Sequence, residues 1–177
     1  MILSDRSLHE LARKGIAPGD ANIGPCSIDL TLGDSYAVIK GENRFGVDFV
    51  RLGADVIDYD YKHGINRFII NPHQFVLATT REWIKVPQSM AGFISGRSSV
   101  GRAGLQVQNA GFVDAGFEGN LTLELFNQGN LPILLESGTR ICQISYHLLD
   151  TEAKNSYEKT GKYQKQNGVA GSMMHLD

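Results

Sequence analysis

A glutamate on an alternating segment is the residue of this chain best suited to proton transfer. Residues 120–126 alternate with period two, which places leucines on one face and Thr122, Glu124 and Phe126 on the other. A carboxyl group flanked by Thr and Phe on its own face loses solvent, and desolvation raises its pKa toward values suited to general acid–base chemistry. From this segment alone, the alternative remains that Glu124 lies on the solvent face of an ordinary strand.

The segment 96–102 (GRSSVGR) has the residue types of an anion-binding turn. A strand that runs into a helix start presents backbone N–H groups, and Ser98 could cap that helix. Arg102 follows Ser98 by four residues, so both side chains project from one face of a helical turn and could hold the same phosphate chain. An ordinary capped turn has the same residue types, and both interpretations stay open.

The glycine-rich segment 111–119 carries the carboxylate of Asp114. A tight hairpin of this kind could offer backbone groups and one carboxylate to a sugar. An aspartate in a glycine-rich turn commonly bonds only to its own backbone, and that alternative also remains.

The residues that common metal enzymes use as ligands are not spaced for a metal site. Zinc-dependent nucleobase deaminases carry His-x-Glu followed by Pro-Cys-x-x-Cys, whereas Cys26 is followed by Ser-Ile-Asp. The five histidines show no paired ligand spacing. The sequence therefore predicts neither a zinc site nor any metal held by protein side chains.

Composition narrows the class of protein further. The 177 residues are 42% hydrophobic and 20% charged with a net charge of -2, which predicts one packed domain and argues against nucleic-acid or acidic-membrane partners. Two cysteines cannot build a disulfide framework, which indicates a reducing compartment. The first residues lack the pattern of a signal peptide, and the apolar runs fall short of the roughly 20 residues of a membrane helix. We therefore expect a cytoplasmic protein.

Short strands must position these residues. Leu8, Leu11 and Ala12 recur at helical spacing before Gly15, which predicts a first helix, and residues 98–102 predict a second. Gly33 and Asp34 predict a turn, and the acidic stretch 41–65 predicts a solvated excursion. Period-two patterns and 20 glycines at the turns predict a mainly β sandwich or barrel, with strands at 27–32, 36–39, 67–70, 74–79, 83–86, 105–108, 120–127, 131–135 and 140–148.

Taken in this order, the three segments resemble the dCTP deaminase family of the dUTPase superfamily. The match covers nearly the whole chain, through residues 2–5, 25–33, 96–102 and 161–169. Its specific features are Arg-Ser-Ser-x-x-Arg, the ten residues from Asp114 to Glu124 and the Lys-Tyr-Gln-x-Gln tail. The resemblance implies a distorted jelly-roll or β-barrel of the dUTPase type with short helices. It also implies a single domain over 1–177, of which 150–177 form a C-terminal tail that orders over the nucleotide.

The resemblance further implies a function: hydrolytic deamination of dCTP coupled to triphosphate hydrolysis, which yields dUMP, ammonia and pyrophosphate for dTTP supply. It implies a homotrimer with sites at subunit interfaces, Mg²⁺ carried by the triphosphate, dUTP as a further ligand and dTTP as a candidate inhibitor. One alternative is a deaminase that releases dUTP. Others are a dUTPase proper, or a non-catalytic nucleotide-binding regulatory module.

The resemblance assigns roles residue by residue. Glu124 is implied to shuttle protons, Ser98 to hold the attacking water or the tetrahedral intermediate, and Arg102 to support the site electrostatically. Asp114 is implied to meet the deoxyribose 3′-hydroxyl and to activate a second water. The implied nucleotide-binding positions are Arg97, Ser98, Ser99, Val100, Gly101, Arg102, Asp114, Thr122, Leu123, Glu124, Gln143, Tyr157, Lys162 and Gln166.

Two positions depart from family members that stop at dUTP. Those members usually carry a His-Arg pair three and two residues before the aspartate, where this chain has Gly111 and Phe112. Members that go on to dUMP look like this chain, because a small residue leaves room near the phosphates for a second water. In the tail, residues 170–173 (AGSM) replace the more usual Thr-x-Ser-Arg.

Overall fold

The regular elements in the described part of the chain are twelve strands, three α-helices and a 3-10 helix at Met174–Leu176. The computed structural model describes residues 1–19, 22–40, 57–108 and 111–176. The helices are α1 (Asp5–Arg13), α2 (Ser98–Arg102) and α3 (Tyr157–Thr160). The strands are β1 (Ile28–Ile39), β2 (Tyr59–Lys62), β3 (Arg67–Ile70), β4 (Phe75–Thr80), β5 (Ile84–Lys85), β6 (Met90–Gly96), β7 (Leu105–Gln108), β8 (Phe112–Val113), β9 (Glu118–Gly119), β10 (Thr122–Asn127), β11 (Ile133–Glu136) and β12 (Arg140–Leu148).

One curled antiparallel sheet organises the molecule, which confirms the prediction of a mainly β fold. Its strands follow the order β7-β10-β4-β1-β12-β6-β8, and β2 pairs with the second half of β1. The ladders β3–β11 and β5–β9 lie beside it. As the alternation predicts, Leu123 and Leu125 of β10 are buried in the core while Glu124 lies on the opposite face.

The two predicted helices form where the sequence places them. α1 buries Leu8 and Leu11 against the sheet, and Gly15 follows it with a φ of 66° that suits a helix end. α2 covers the predicted residues 98–102. Within the described residues, no helix has the length and apolar composition required to cross a lipid bilayer.

The turn predicted at Gly33 and Asp34 is wrong, because β1 continues through both residues. The register with β4 instead shifts between Leu32 and Tyr36. A Cβ on Gly33 would clash with the Cγ2 of Thr79, so the glycine permits a close approach of two paired strands.

Four strands of the described part of the chain lie where periodicity predicts none: β2, β6 and the two-residue strands β8 and β9. β6 occupies residues directly before α2, and β2 lies within the acidic excursion predicted to be solvated. Of the aspartates in that excursion, Asp58 and Asp60 form surface ion pairs with Lys40 and Lys62. The other two, Asp48 and Asp55, lie outside the described residues.

Candidate active site

A pocket beside α2 brings together much of the predicted anion-binding segment. This α2 pocket has a volume of about 460 Å³. Ser98 and Arg102, at the two ends of the five-residue helix, both face it and are exposed to solvent. Its lining residues are Asp29, Arg97, Ser98, Ser99, Arg102 and Gln143.

Asp29 organises the cationic side of the α2 pocket. Its Oδ2 lies 3.2 Å from Nε of Arg97 and 3.3 Å from NH1 of Arg140. The Asp29 side chain is only 17% exposed, so this pair is better shielded than an ordinary surface ion pair. Arg97 also donates to the carbonyl of Arg140 at 3.4 Å. Arg97 is therefore held in place before any ligand arrives.

Sequence analysis did not single out Asp29 as a site residue, although it lies in a segment that carries the resemblance. Its place follows from strand pairing: Asp29 lies opposite Gln143, which lies opposite Ser95 at the end of the strand leading into α2. Once β1, β12 and β6 are known to be neighbours, the carboxylate of Asp29 is expected to lie near the start of α2. The alternation of residue types along one strand does not show which strands become its neighbours.

The backbone of α2 is only partly available to a ligand. The amides of Val100 and Gly101 both donate to the carbonyl of Arg97 at 3.0 Å, and Val100 packs against the core. The expectation that the amides of this segment are free is therefore wrong for these two residues. The side chains of Ser98, Ser99 and Arg102 provide the polar groups instead.

Glu124 lies on a second surface, which we call the Glu124 face. Tyr61, Ala37, Leu77, Glu124 and Gln108 are directly opposite one another on the neighbouring strands β2, β1, β4, β10 and β7. Directly paired residues project from the same face of a sheet, so these five share one side. Glu124 is half-buried there, and burial raises the pKa of its carboxyl group. The direction of this pKa shift is the one predicted from the flanking residues Thr122 and Phe126.

β10 is paired with a strand on each side along Glu124 to Phe126. β4 pairs with Thr122 to Phe126, and β7 pairs with Glu124 to Asn127. The side chain of Leu123 itself is buried in the core.

The C-terminal tail lies against the Glu124 face of its own chain. The side-chain amide of Gln166 donates to Oγ1 of Thr122 at 2.6 Å, and the backbone amide of Ala170 donates to the same oxygen at 3.0 Å. The carbonyl of Gln166 also accepts from the amide of Asn120 at 2.8 Å. Gln166, predicted to contact phosphate, here connects the tail to β10.

Asp114 lies in the turn after β8, next to the start of the tail. The amide of Tyr157 donates to the carbonyl of Ala115 at 2.8 Å, which brings α3 against this turn. Burial raises the pKa of Tyr157, and the charges of Asp114 and Lys162 act on it in opposite directions. Three predicted site residues, Asp114, Tyr157 and Lys162, therefore lie near one another.

Gly111 and Phe112 lie beside an exposed aromatic ring. A Cβ on Gly111 would lie 3.0 Å from Cε2 of Phe93, so a larger residue would displace that ring. Phe93 and Phe112 are paired across β6 and β8 with ring centroids 5.6 Å apart, and Phe112 is 73% exposed. A side chain at position 111 would therefore require a shift of the exposed Phe93 ring.

The predicted site residues therefore form two groups. Arg97, Ser98, Ser99, Arg102 and Gln143 line the α2 pocket. Asp114, Thr122, Glu124, Tyr157, Lys162 and Gln166 lie on or near the Glu124 face and the tail, and none of them lines the α2 pocket. In the part of the chain that the structure describes, no three His, Cys, Asp or Glu residues are grouped to hold a metal ion.

A family model described as dCTP deaminase-like matches residues 2–149. The chain belongs to this dCTP deaminase-like family. The match contains both the α2 pocket and β10, and it ends before the tail.

Full-length relatives extend the match through the tail. The chain is 44% identical to a dUMP-forming dCTP deaminase of Aquifex aeolicus, over 100% of this chain and 97% of the relative. It is 42% identical to a dUMP-forming dCTP deaminase of Persephonella marina, over 100% of this chain and 99% of that relative. A solved dCTP deaminase structure from Agrobacterium tumefaciens superposes with a TM-score of 0.63 at 20% identity, covering 84% of this chain and 48% of that one. This likeness shows that the fold is shared.

Proposed function

We propose that this chain converts dCTP to dUMP, with loss of ammonia and pyrophosphate. The observation that carries the proposal is the half-buried carboxyl group of Glu124, whose pKa is raised by burial, on a face covered by the chain's own tail. The relatives at 44% and 42% identity are named as dUMP-forming dCTP deaminases, which supports the same reaction.

Deamination replaces the amino group at C4 of cytosine by oxygen: dCTP and water give dUTP and ammonia. The reaction needs a proton on N3, a water activated for attack on C4 and a proton for the departing ammonia. A single carboxyl group of raised pKa can take and return these protons in turn, and Glu124 has that property. The backbone of Thr122 and Leu123, which the resemblance assigns to nucleotide binding, is proposed to bind the pyrimidine edge.

The α2 pocket suits the triphosphate. Arg97 and Arg102 supply positive charge, and Ser98 and Ser99 supply hydroxyl donors. Ser98 and Arg102 are also proposed to stabilise the charge that develops on the attacking oxygen at C4. Mg²⁺ fits on the phosphates themselves, because the carboxylate lining the pocket, Asp29, already binds Arg97 and Arg140. When bound, the ion neutralises part of the phosphate charge.

The second step hydrolyses dUTP to dUMP and pyrophosphate. Asp114 is exposed in its turn and can activate a water for attack on the phosphate chain. The alternative, an enzyme that releases dUTP, is disfavoured by Gly111. This position carries no side chain, as the resemblance implies for the family members that form dUMP.

The active enzyme is proposed to be a homotrimer with sites between subunits. Support comes from the separation of the two groups of residues: those lining the α2 pocket do not include Glu124, Thr122 or Asp114. A site shared by two subunits would bring the α2 pocket of one chain to the Glu124 face of its neighbour.

The proposed cellular role is the supply of dTTP precursors in the cytoplasm. dTTP is proposed as an inhibitor because it is the end product of that supply. A thiol-reducing compartment suits the two unpaired cysteines, Cys26 and Cys142.

The proposal is tested by incubating the purified protein with dCTP and Mg²⁺ and measuring ammonia, dUTP, dUMP and pyrophosphate. We expect ammonia and dUMP in equal amounts with little free dUTP. Ammonia with accumulating dUTP would support the alternative deaminase. Nucleotide binding without ammonia would contradict the proposal and favour a regulatory module.

A further inference from the structure

Two tyrosines on β2 contact the tail where it passes the Glu124 face. Gly171 packs so closely against them that a Cβ would lie 2.6 Å from Cε2 of Tyr59 and 2.6 Å from the hydroxyl of Tyr61. The amide of Ser172 points at the hydroxyl of Tyr59 at 3.5 Å. The next amide, that of Met173, donates to the hydroxyl of Tyr163 at 2.9 Å. A side chain at position 171 would require one or both tyrosine side chains to shift.

The residues just before Gly171 connect these tyrosines to β10. Val169 is buried in a small apolar cluster with Ala37 and Leu77, against which Tyr59 also packs. The amide of Ala170 bonds to Oγ1 of Thr122, two residues from Glu124 on the same face. Four consecutive tail residues therefore cross from β10 to β2 over the strands that carry Ala37 and Leu77.

We propose that Tyr59 and Tyr61 are positioning residues, which hold the tail closed over the Glu124 face by accepting Gly171 between them. The inference deepens the proposed function, on which it rests, because closure removes water from the carboxyl group that moves the protons. The pair does not need to touch the substrate. It acts by fixing the tail, and the tail covers the face.

The electrostatic surroundings of Tyr59 agree with this placement. Burial raises the pKa of Tyr59, and the hydrogen bond from Ser172 lowers it. The nearby charges of Tyr61, Tyr163 and Glu124 raise it further. Tyr59 thus lies close enough to Glu124 to experience its charge.

The first test is limited trypsin digestion of the tail without nucleotide, which does not depend on any activity. Gly171→Ala should open the tail and raise the cleavage rate at Lys162 and Lys165 by roughly tenfold, because proteolysis follows the population of the open form. Gly19→Ala is the matched control, since a Cβ there meets nothing within 4 Å. Equal cleavage of Gly171→Ala and Gly19→Ala would overturn the proposal.

The second test compares kcat with KM for dCTP. The α2 pocket stays intact in Gly171→Ala, so kcat should fall by roughly tenfold while KM changes by less than about threefold. Tyr61→Phe removes one of the two close contacts and should restore part of kcat and of protease resistance to Gly171→Ala. A loss confined to KM, or an absence of rescue by Tyr61→Phe, would contradict a positioning role.

The two tests separate this inference from the proposed function. If the wild-type protein releases no ammonia from dCTP, the proposed function fails while the trypsin experiment still decides whether the tyrosine pair holds the tail. If the wild-type protein is active and Gly171→Ala behaves as Gly19→Ala in both assays, only the tyrosine proposal fails.

Discussion

In the α2 pocket the polar groups remain accessible to water, whereas on the Glu124 face the carboxyl is half-buried beside the chain's own tail. Ser98 and Arg102 are exposed, while the Asp29–Arg97 pair is partly shielded, with side-chain exposures of 17% and 25%. Glu124 is instead surrounded by strand neighbours, with Thr122 bound by the tail. The two regions therefore differ in how far their charged groups are exposed to water.

This difference in exposure matches the two requirements of the proposed reaction, which are phosphate binding and proton transfer. Phosphates arrive charged and bring a cation, so exposed arginines and serines can bind them without losing all of their water. Proton transfer near neutral pH requires a carboxyl group with a raised pKa, which requires removal from water. A single surface cannot easily provide both environments, and the chain places them on different strands.

Replacing the carboxyl group of Glu124 tests whether the Glu124 face serves deamination rather than nucleotide binding. Glu124→Gln keeps the shape and removes the proposed proton shuttle, so ammonia release should fall by roughly 10² to 10⁴. Nucleotide binding should stay within about tenfold, because the α2 pocket is unchanged. Ammonia assays and a binding titration with dCTP measure the two effects. Near-normal deamination would remove Glu124 from the mechanism.

Replacing Asp114 tests whether the second step can be separated from the first. Asp114→Asn keeps a hydrogen-bonding group for the sugar and loses the base, so formation of dUMP should fall by roughly 10² while ammonia release persists. Chromatography should then show dUTP accumulating from dCTP. Parallel loss of ammonia and dUMP would show that Asp114 serves binding alone.

The buried carboxyl group should also carry a cost in stability that depends on pH. The folded state raises the pKa of Glu124 above its unfolded value near 4.3, so folding favours the protonated form. This contribution is complete below the unfolded pKa and is lost as pH rises through the folded pKa. Glu124→Gln should therefore melt at a higher temperature than wild type at pH 8, with the difference vanishing near pH 4. An equal difference at both pH values would argue against burial as the cause.

The smallest effect is expected from removal of zinc. A zinc-selective chelator should leave activity unchanged when Mg²⁺ is in excess, because the cysteines and histidines of the sequence lack zinc-ligand spacing. Activity is measured as ammonia release from dCTP with and without chelator. Loss that Zn²⁺ alone restores would assign the chain to a different deaminase chemistry.

Local patterns were sufficient to predict the elements that carry both regions. The alternation of 120–127 places Glu124 opposite buried leucines, and residues 98–102 form the expected helix. Both features depend on spacing within one element, which a single sequence contains. The resemblance then supplied the chemistry that links them.

Features that depend on strand order could not be predicted in the same way. Asp29 reaches the α2 pocket because β1 pairs with β12, and Tyr61 shares a face with Glu124 through β1 and β4. Gly33 resembles a turn residue in sequence, but it permits close packing of two strands. Each depends on partners distant in the chain, and periodicity does not specify which strands become neighbours.

The claim that one site draws on two chains is tested most directly by mixing inactive variants. One variant carries Ser98→Ala with Arg102→Ala and lacks a working α2 pocket, and the other carries Glu124→Gln. After the two are unfolded together and reassembled at equal amounts, half of the chains can supply each intact group. Random association then restores about a quarter of wild-type activity at the interfaces of a closed symmetric oligomer. A mixture that forms trimers yet stays as inactive as its parents would contradict the shared site.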